Sequence, residues 1–224
     1  MPNKQVLAFA ALINLSVFSL PLLFIAVDFT ALLSNPAIWI FYTLITLFCI
    51  LESQASLLIG SGVAVKADKS FLPYSIGIIV LLLFWVSLYE FISKPYVSWL
   101  HLNWLQWLSA SCLMLAGIYL RVISIKTLNK YFLSHIGLAS NHRLITTGIY
   151  ARMRHPSEAG LLLICIAVPI LLGSLNGLLL AMLLIVPLSL YRINREDKLM
   201  RGRFTHSFDD YRQTTPALLP KLNR

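Results

Sequence analysis

Apolar residues run along this chain in long unbroken blocks rather than alternating with polar ones. Blocks long enough to cross about 30 Å of hydrocarbon, which takes roughly 20 helical residues, lie at Val6–Val27, Pro36–Gly60, Pro73–Ile92 and Trp104–Ile125. A fifth block, Ala159–Leu190, is interrupted by Gly173-Ser174-Leu175-Asn176-Gly177. Its arms, of about 14 and 13 residues, reach only ~20 Å each at 1.5 Å per residue. The pattern therefore predicts four spans and a tight helical hairpin whose arms are extended by flanking polar residues. A bilayer interior offers backbone groups no partner, so only helices or closed barrels cross it, and these blocks lack the alternation of barrel strands. The expected fold is all-α and polytopic, with about six crossings. Val6–Val27 exceeds the ~7–15 apolar residues of a signal peptide core. With Ser19-Leu20-Pro21 inside it and no small-residue cleavage site nearby, it reads as a retained span.

Composition agrees: 58% of the 224 residues are hydrophobic and 12% charged, too few charges for an ordinary soluble domain. The net charge of +9 changes the picture through its distribution. Lys4, Lys66, Lys69, the basic residues from Arg121 through Arg154 and those from Arg192 onward fall on one side of a six-span path, leaving Lys94 on the other. That bias predicts both termini in the cytoplasm, in a cell or inner membrane. It also reads as contact with anionic lipid and not with nucleic acid. Trp85, Trp99, Trp104 and Trp107 sit near block ends, as interfacial anchors do. Cys49, Cys112 and Cys165 lie within apolar blocks, too far apart for a metal motif. Two organisational units follow: residues 1–103 with three spans, and residues 104–224 with a span, a polar loop, the hairpin and an amphipathic C-terminal segment.

Candidate chemistry concentrates in two polar segments facing the cytoplasm, 126–154 and 191–224. A connection of that length is functional or disordered, and Tyr131, Phe132, Leu133, Ile136 and Leu144 predict a folded one. The hairpin returns its two ends to one membrane face, so residues 142–160 and 192–197 are expected to meet. Pro156 suits a first helical turn and drives His155 out of helical geometry. A helix is thus expected to begin there, with Arg154 and His155 at its positive end. They would face a ligand, or serve only to hold lipid phosphate and cap the helix. Arg192 and Glu196, at i and i+4, share a helix face and are either a mutual salt bridge or part of a site. Glu196-Asp197 lacks further ligands at metal spacing. Glu52 and Arg121 can pair in the cytoplasmic half, and Glu90 can snorkel at the outer end.

The ordered set His142-x-Leu-Ile-Thr-x-Gly-x-Tyr150, Arg154-His155-Pro156-Ser157 with Gly160, Arg192-x-x-x-Glu196-Asp197, then Phe204, Phe208, Tyr211, Pro216 and Pro220 resembles the isoprenylcysteine carboxyl methyltransferase and phospholipid methyltransferase families over roughly residues 115–220. The resemblance implies an S-adenosylmethionine-dependent methyltransferase with its cofactor in a cytoplasmic pocket and a lipid-like or amphiphilic acceptor arriving from the bilayer. Carried over by position, it implies cofactor contacts at His135, His142, Arg143, Leu144, Ile145, Tyr150, Arg154, His155, Pro156, Ser157, Glu158 and Glu196, with Glu196 also catalytic and Arg192 the catalytic residue that orients the acceptor. It implies no metal. Glu158 stands where the family usually has Tyr, and Asp197 where it has a second Glu. The residues themselves agree, since such a cofactor needs carboxylates for its cations, a donor for its carboxylate and an apolar slot for adenine. An NADPH-dependent sterol-reductase-type enzyme would prefer His-Pro-Asn-Tyr followed by Gly-Glu to the His-Pro-Ser-Glu-Ala-Gly found here. A transporter or scaffold would place polar residues at mid-membrane.

Overall fold

The computed structural model describes residues 8, 12, 16–23, 29–59, 64–67, 72–93, 104–133, 136–139 and 142–221. The expected first span, Val6–Val27, lies largely outside them. Short helical pieces at Leu20–Leu23 and Phe29–Ser34 precede helices α1 (Pro36–Ile59), α2 (Leu72–Ser93) and α3 (Trp104–Leu128). Their bounds follow the apolar blocks closely because the match between apolar length and hydrocarbon thickness sets them. Then come α4 (Pro156–Leu172), α5 (Leu175–Phe204, with a π-helical turn at Ala181–Ile185) and α6 (His206–Thr214). Helices α1, α2, α3 and α5 are each long and apolar enough to cross a membrane. The 17-residue α4 is about 25 Å long. The chain is an integral membrane protein of helical, polytopic architecture.

One departure from an all-helical reading is a small antiparallel pair, β1 (Ala64–Ala67) with β2 (Gly137–Ala139). It joins the connection after α1 to the polar loop after α3. Strands of four and three residues are too short to leave a readable alternation in the sequence.

The hairpin forms, and its turn is tighter than the Gly173–Gly177 interruption suggests. Gly173 adopts φ 63°, ψ 32°, a left-handed conformation that glycine enters without steric cost. Ser174 N donates to Pro169 O at 2.8 Å. Ser174 then caps α5, its Oγ accepting from Gly177 N at 2.9 Å. Glu90 completes the turn from α2: Ser174 Oγ and Asn176 N donate to its Oε2 at 2.7 and 3.1 Å. Leu175–Gly177 therefore join the second arm. Gly177 is needed there, because a Cβ would collide with Ser87.

The α3/α4 crossing fixes the hairpin against the rest of the bundle. A Cβ on Gly160 would lie 2.5 Å from the Gly117 carbonyl oxygen, and one on Gly117 would lie 2.6 Å from that of Gly160. Small residues facing each other let two membrane helices touch backbone to backbone. Met114, Ile118, Ile164 and Val168 pack around this contact in the buried core. The same approach brings Glu158, two residues before Gly160, close to Arg121 in the C-terminal part of α3.

Candidate active site

The site is assembled at the start of α4 by three elements that are distant in sequence. His155 is the residue before the helix, with φ −124°, ψ 58°, and Pro156 occupies the first turn, as its locked φ and missing N–H favour. A strap following α6 runs beside this entry: Arg154 N and His155 N donate to Pro216 O and Ala217 O, both at 2.9 Å, and Lys221 N to Arg152 O at 3.0 Å. On the other side Tyr211 Oη donates to Tyr150 O at 2.6 Å. Gly148, at φ 62°, starts the short 3-10 turn Gly148–Ala151 that presents Tyr150.

Across from this entry, one face of α5 carries Arg192, Glu196 and Asp197, and the charges interlock. Asp197 takes Arg154 Nη2 at 3.0 Å on one oxygen and His155 Nε2 at 2.8 Å on the other. Glu196 takes His155 Nδ1 at 3.4 Å and Arg192 Nε at 3.0 Å. Arg192 Nη1 reaches Glu158 Oε1 at 3.3 Å. The result is a row of alternating sign, Arg154, Asp197, His155, Glu196, Arg192, Glu158. Burial opposes protonation of His155, but the carboxylates of Asp197 and Glu196 outweigh it and push its pKa up to about 9. At neutral pH it is an imidazolium with both ring nitrogens donating. His142 moves the other way: burial, helped by the charge of Arg203, lowers its pKa. It stays neutral, edge-on to Tyr131 at 5.3 Å between ring centroids.

The charged row forms one wall of a cavity of about 880 Å³, open mouth included. Leu128, Tyr131, Phe132, Leu133, Leu144, Ile145, Met200 and Phe208 supply its apolar lining. Three polar atoms of lining residues, His142 Nδ1, Arg154 Nε and Glu158 Oε2, are buried and without a hydrogen-bond partner among the described residues. Such groups are rare in folded chains and call for an explanation, a ligand among them.

Of the residues singled out from sequence, His142, Leu144, Ile145, Tyr150, Arg154, His155, Ser157, Glu158, Arg192 and Glu196 line this cavity. Arg143 and Pro156 do not, and His135 lies outside the described residues. The Arg192–Glu196 pair exists, yet it is one link of the row and not a closed bridge. Arg154 is held by Asp197 and by the Thr215 and Arg212 carbonyls, to which its Nη1 donates, while its Nε is buried without a partner among the described residues. Sequence reasoning gave Asp197 no role and missed Leu128, Leu199 and Met200 as lining. Asp197 alone offered a signal, being, beside Glu196, an acidic residue on the segment that the hairpin returns to His155.

Residues 110–202 match the Isoprenylcysteine carboxyl methyltransferase (ICMT) family. The chain is 32% identical over 117 residues to the Protein-S-isoprenylcysteine O-methyltransferase of Schizosaccharomyces pombe, covering 51% of this chain and 49% of that protein. It is 26% identical over 143 residues to Protein-S-isoprenylcysteine O-methyltransferase B of Arabidopsis thaliana, covering 62% and 72% respectively. The chain thus spans about half the length of the fission-yeast relative. Its fold is similar to that of the eukaryotic intramembrane Ras methyltransferase ICMT, with a TM-score of 0.58 at 22% identity over 83% of this chain and 68% of that one. The matched segment runs from α3 through α5 and carries the whole charged row, so it is over this segment that the chain is similar to the isoprenylcysteine carboxyl methyltransferase family, and the likeness to the solved structure extends to the fold.

Proposed function

We propose that this chain is a membrane-embedded S-adenosylmethionine-dependent methyltransferase that moves a methyl group to an amphiphilic acceptor at the cytoplasmic face. The observation carrying this reading is the junction of an apolar, aromatic cavity with a wall of buried carboxylates at the family's ordered motif. The residues present suit the cofactor's chemistry. Glu196 offers a carboxylate to a cation, the entry of α4 with His155 offers positive charge to a carboxylate, and Leu144, Ile145 and Tyr150 form an apolar slot. The partnerless Nδ1 of His142 is a polar contact at that slot. Bound there, the cofactor supplies an electrophilic methyl group.

The chain's own contribution is positioning. In-line displacement gains most from alignment of the reacting atoms and from exclusion of water, and the lining of Leu128, Phe132, Leu133 and Met200 provides a dry surface for an apolar tail. Arg192, fixed by carboxylates on two sides, is held ready to orient the acceptor's reacting group. The relatives' names specify isoprenylcysteine, which has the apolar tail expected here. Both termini and the site belong on the cytoplasmic side in this reading, which rests on the distribution of Lys and Arg, with six crossings once α4 and the first apolar block are included.

Purified protein incubated with methyl-labelled S-adenosylmethionine and a lipid extract of its host is expected to give a labelled amphiphile. Binding of NADPH with no binding of S-adenosylmethionine would overturn the assignment in favour of a reductase.

A further inference from the structure

Arg192 is the residue that the family resemblance gives to the acceptor, and in this chain its charge is already met twice. Nε faces Glu196 Oε1 at 3.0 Å and Nη1 faces Glu158 Oε1 at 3.3 Å. The side chains of Arg192 and Glu158 are 12% and 5% exposed, so solvent screens these charges little. Elsewhere in the row Arg154 and His155 are held by Asp197 and Glu196, and the donor left without a partner among the described residues, Arg154 Nε, lies at the opposite end of the row from Glu158. Along this wall three carboxylates balance two arginines and one imidazolium. Glu158 Oε2, by contrast, is a buried acceptor with no donor among the described residues.

We propose that Glu158 determines the specificity of this site, turning the acceptor end of the cavity from a carboxylate receptor into one for a head group that bears a hydrogen, an amine or a hydroxyl. The inference rests on the methyltransferase reading and names its acceptor class. An incoming carboxylate would have to lie beside Glu158 and share a guanidinium already held by two others, and like charges crowded in a buried site are costly. An N–H or O–H instead finds Glu158 Oε2 as its partner and leaves the row intact. The position explains why the swap matters. The α3/α4 glycine contact holds the first turn of α4 against α3, so the side chain at 158 faces Arg192 and not lipid. A tyrosine there carries no charge, and the guanidinium would keep an open call for an anion.

The test uses three amphiphiles of one chain length, dodecylamine, dodecanol and dodecanoate, bound to the full-length protein in neutral detergent. Binding of S-adenosylmethionine to the wild type, measured separately, reports on the underlying reading alone. The wild type is expected to bind dodecylamine and dodecanol at least tenfold more tightly than dodecanoate. Glu158→Gln, nearly isosteric and uncharged, is expected to move that ratio at least tenfold towards dodecanoate, and Glu158→Tyr to move it in the same direction. Glu158→Asp keeps the charge and is expected to keep the wild-type order, guarding against loss of fold as the explanation. A wild type that prefers dodecanoate, or a ratio that neither Gln nor Tyr changes, would overturn the proposal even with cofactor binding intact.

Discussion

Two arginines in this chain are buried against glutamates, one between the early spans and the hairpin region, the other on the cavity wall. On α1 and α3, Glu52 and Arg121 meet as two forks, Nε donating to Oε2 at 2.9 Å and Nη2 to Oε1. Both carboxylate oxygens are used, and Arg121 Nη1 turns to Ser157 O at 3.5 Å. On the cavity wall one guanidinium serves Glu158 and Glu196 together, and an oxygen of Glu158 is left over. A pair whose donors and acceptors match ties helices together. A row with an acceptor left over at Glu158 and a donor left over at Arg154 Nε has capacity for something outside the chain. The difference separates scaffold from site on two sides of the first turn of α4, where Arg121 reaches Ser157 O and Arg192 reaches Glu158.

The largest effect is expected where the matched pair is broken. Glu52→Gln strands Arg121, and loss of one partner of a buried pair costs roughly 3–5 kcal/mol. With the two side chains 14% and 24% exposed, the lower end, about 3 kcal/mol, is expected in chemical denaturation of the detergent-solubilised protein. Affinity for S-adenosylmethionine should stay within a few-fold, and replacing both partners by apolar residues should recover much of the loss. If Glu52→Gln abolished cofactor binding with stability unchanged, the division into scaffold and site would fail.

A smaller effect comes from pH. The pKa of His155 is raised in the folded chain, so its contribution to stability is complete below its ordinary value near 6.5 and is lost as pH climbs through about 9. The groups facing it are Glu196 and Asp197 on α5, with Arg154 beside it sharing Asp197. The melting midpoint is expected to fall between pH 6.5 and 9, and His155→Gln to flatten the slope. A midpoint that rose with pH over this range would contradict the assignment of an imidazolium between two carboxylates.

Much of the fold could be read from the sequence because membrane thickness sets a length that apolar blocks must meet. The expected Pro36–Gly60 became Pro36–Ile59, and the hairpin arm began at Pro156, where proline chemistry required it. The Arg192–Glu196 contact was also legible, being a matter of spacing along one helix. The Glu158–Arg192 contact was not. It depends on how α4 is rotated against α5, which the Gly117–Gly160 contact with α3 decides, and no local pattern encodes a rotation. The link from His155 to Asp197 was hidden for the same reason, although the hairpin predicted that their segments meet. The β1–β2 pair escaped because strands so short carry no periodic signal.

The most direct test of the central claim, that the charged row is one wall of a cofactor site, is calorimetric titration of two variants with S-adenosylmethionine and with its demethylated product, paired with acceptor kinetics. Glu196→Gln removes a charge facing the cationic cofactor and is expected to weaken its binding by on the order of 1.5–3 kcal/mol, the worth of a hydrogen bond to a charged group. The neutral thioether product should lose less. Arg192→Ala is expected to leave cofactor affinity within a few-fold while sharply lowering kcat/KM for the acceptor. If both variants instead lose stability together and alter the affinity of neither ligand, the row is a structural salt-bridge network and the site lies elsewhere.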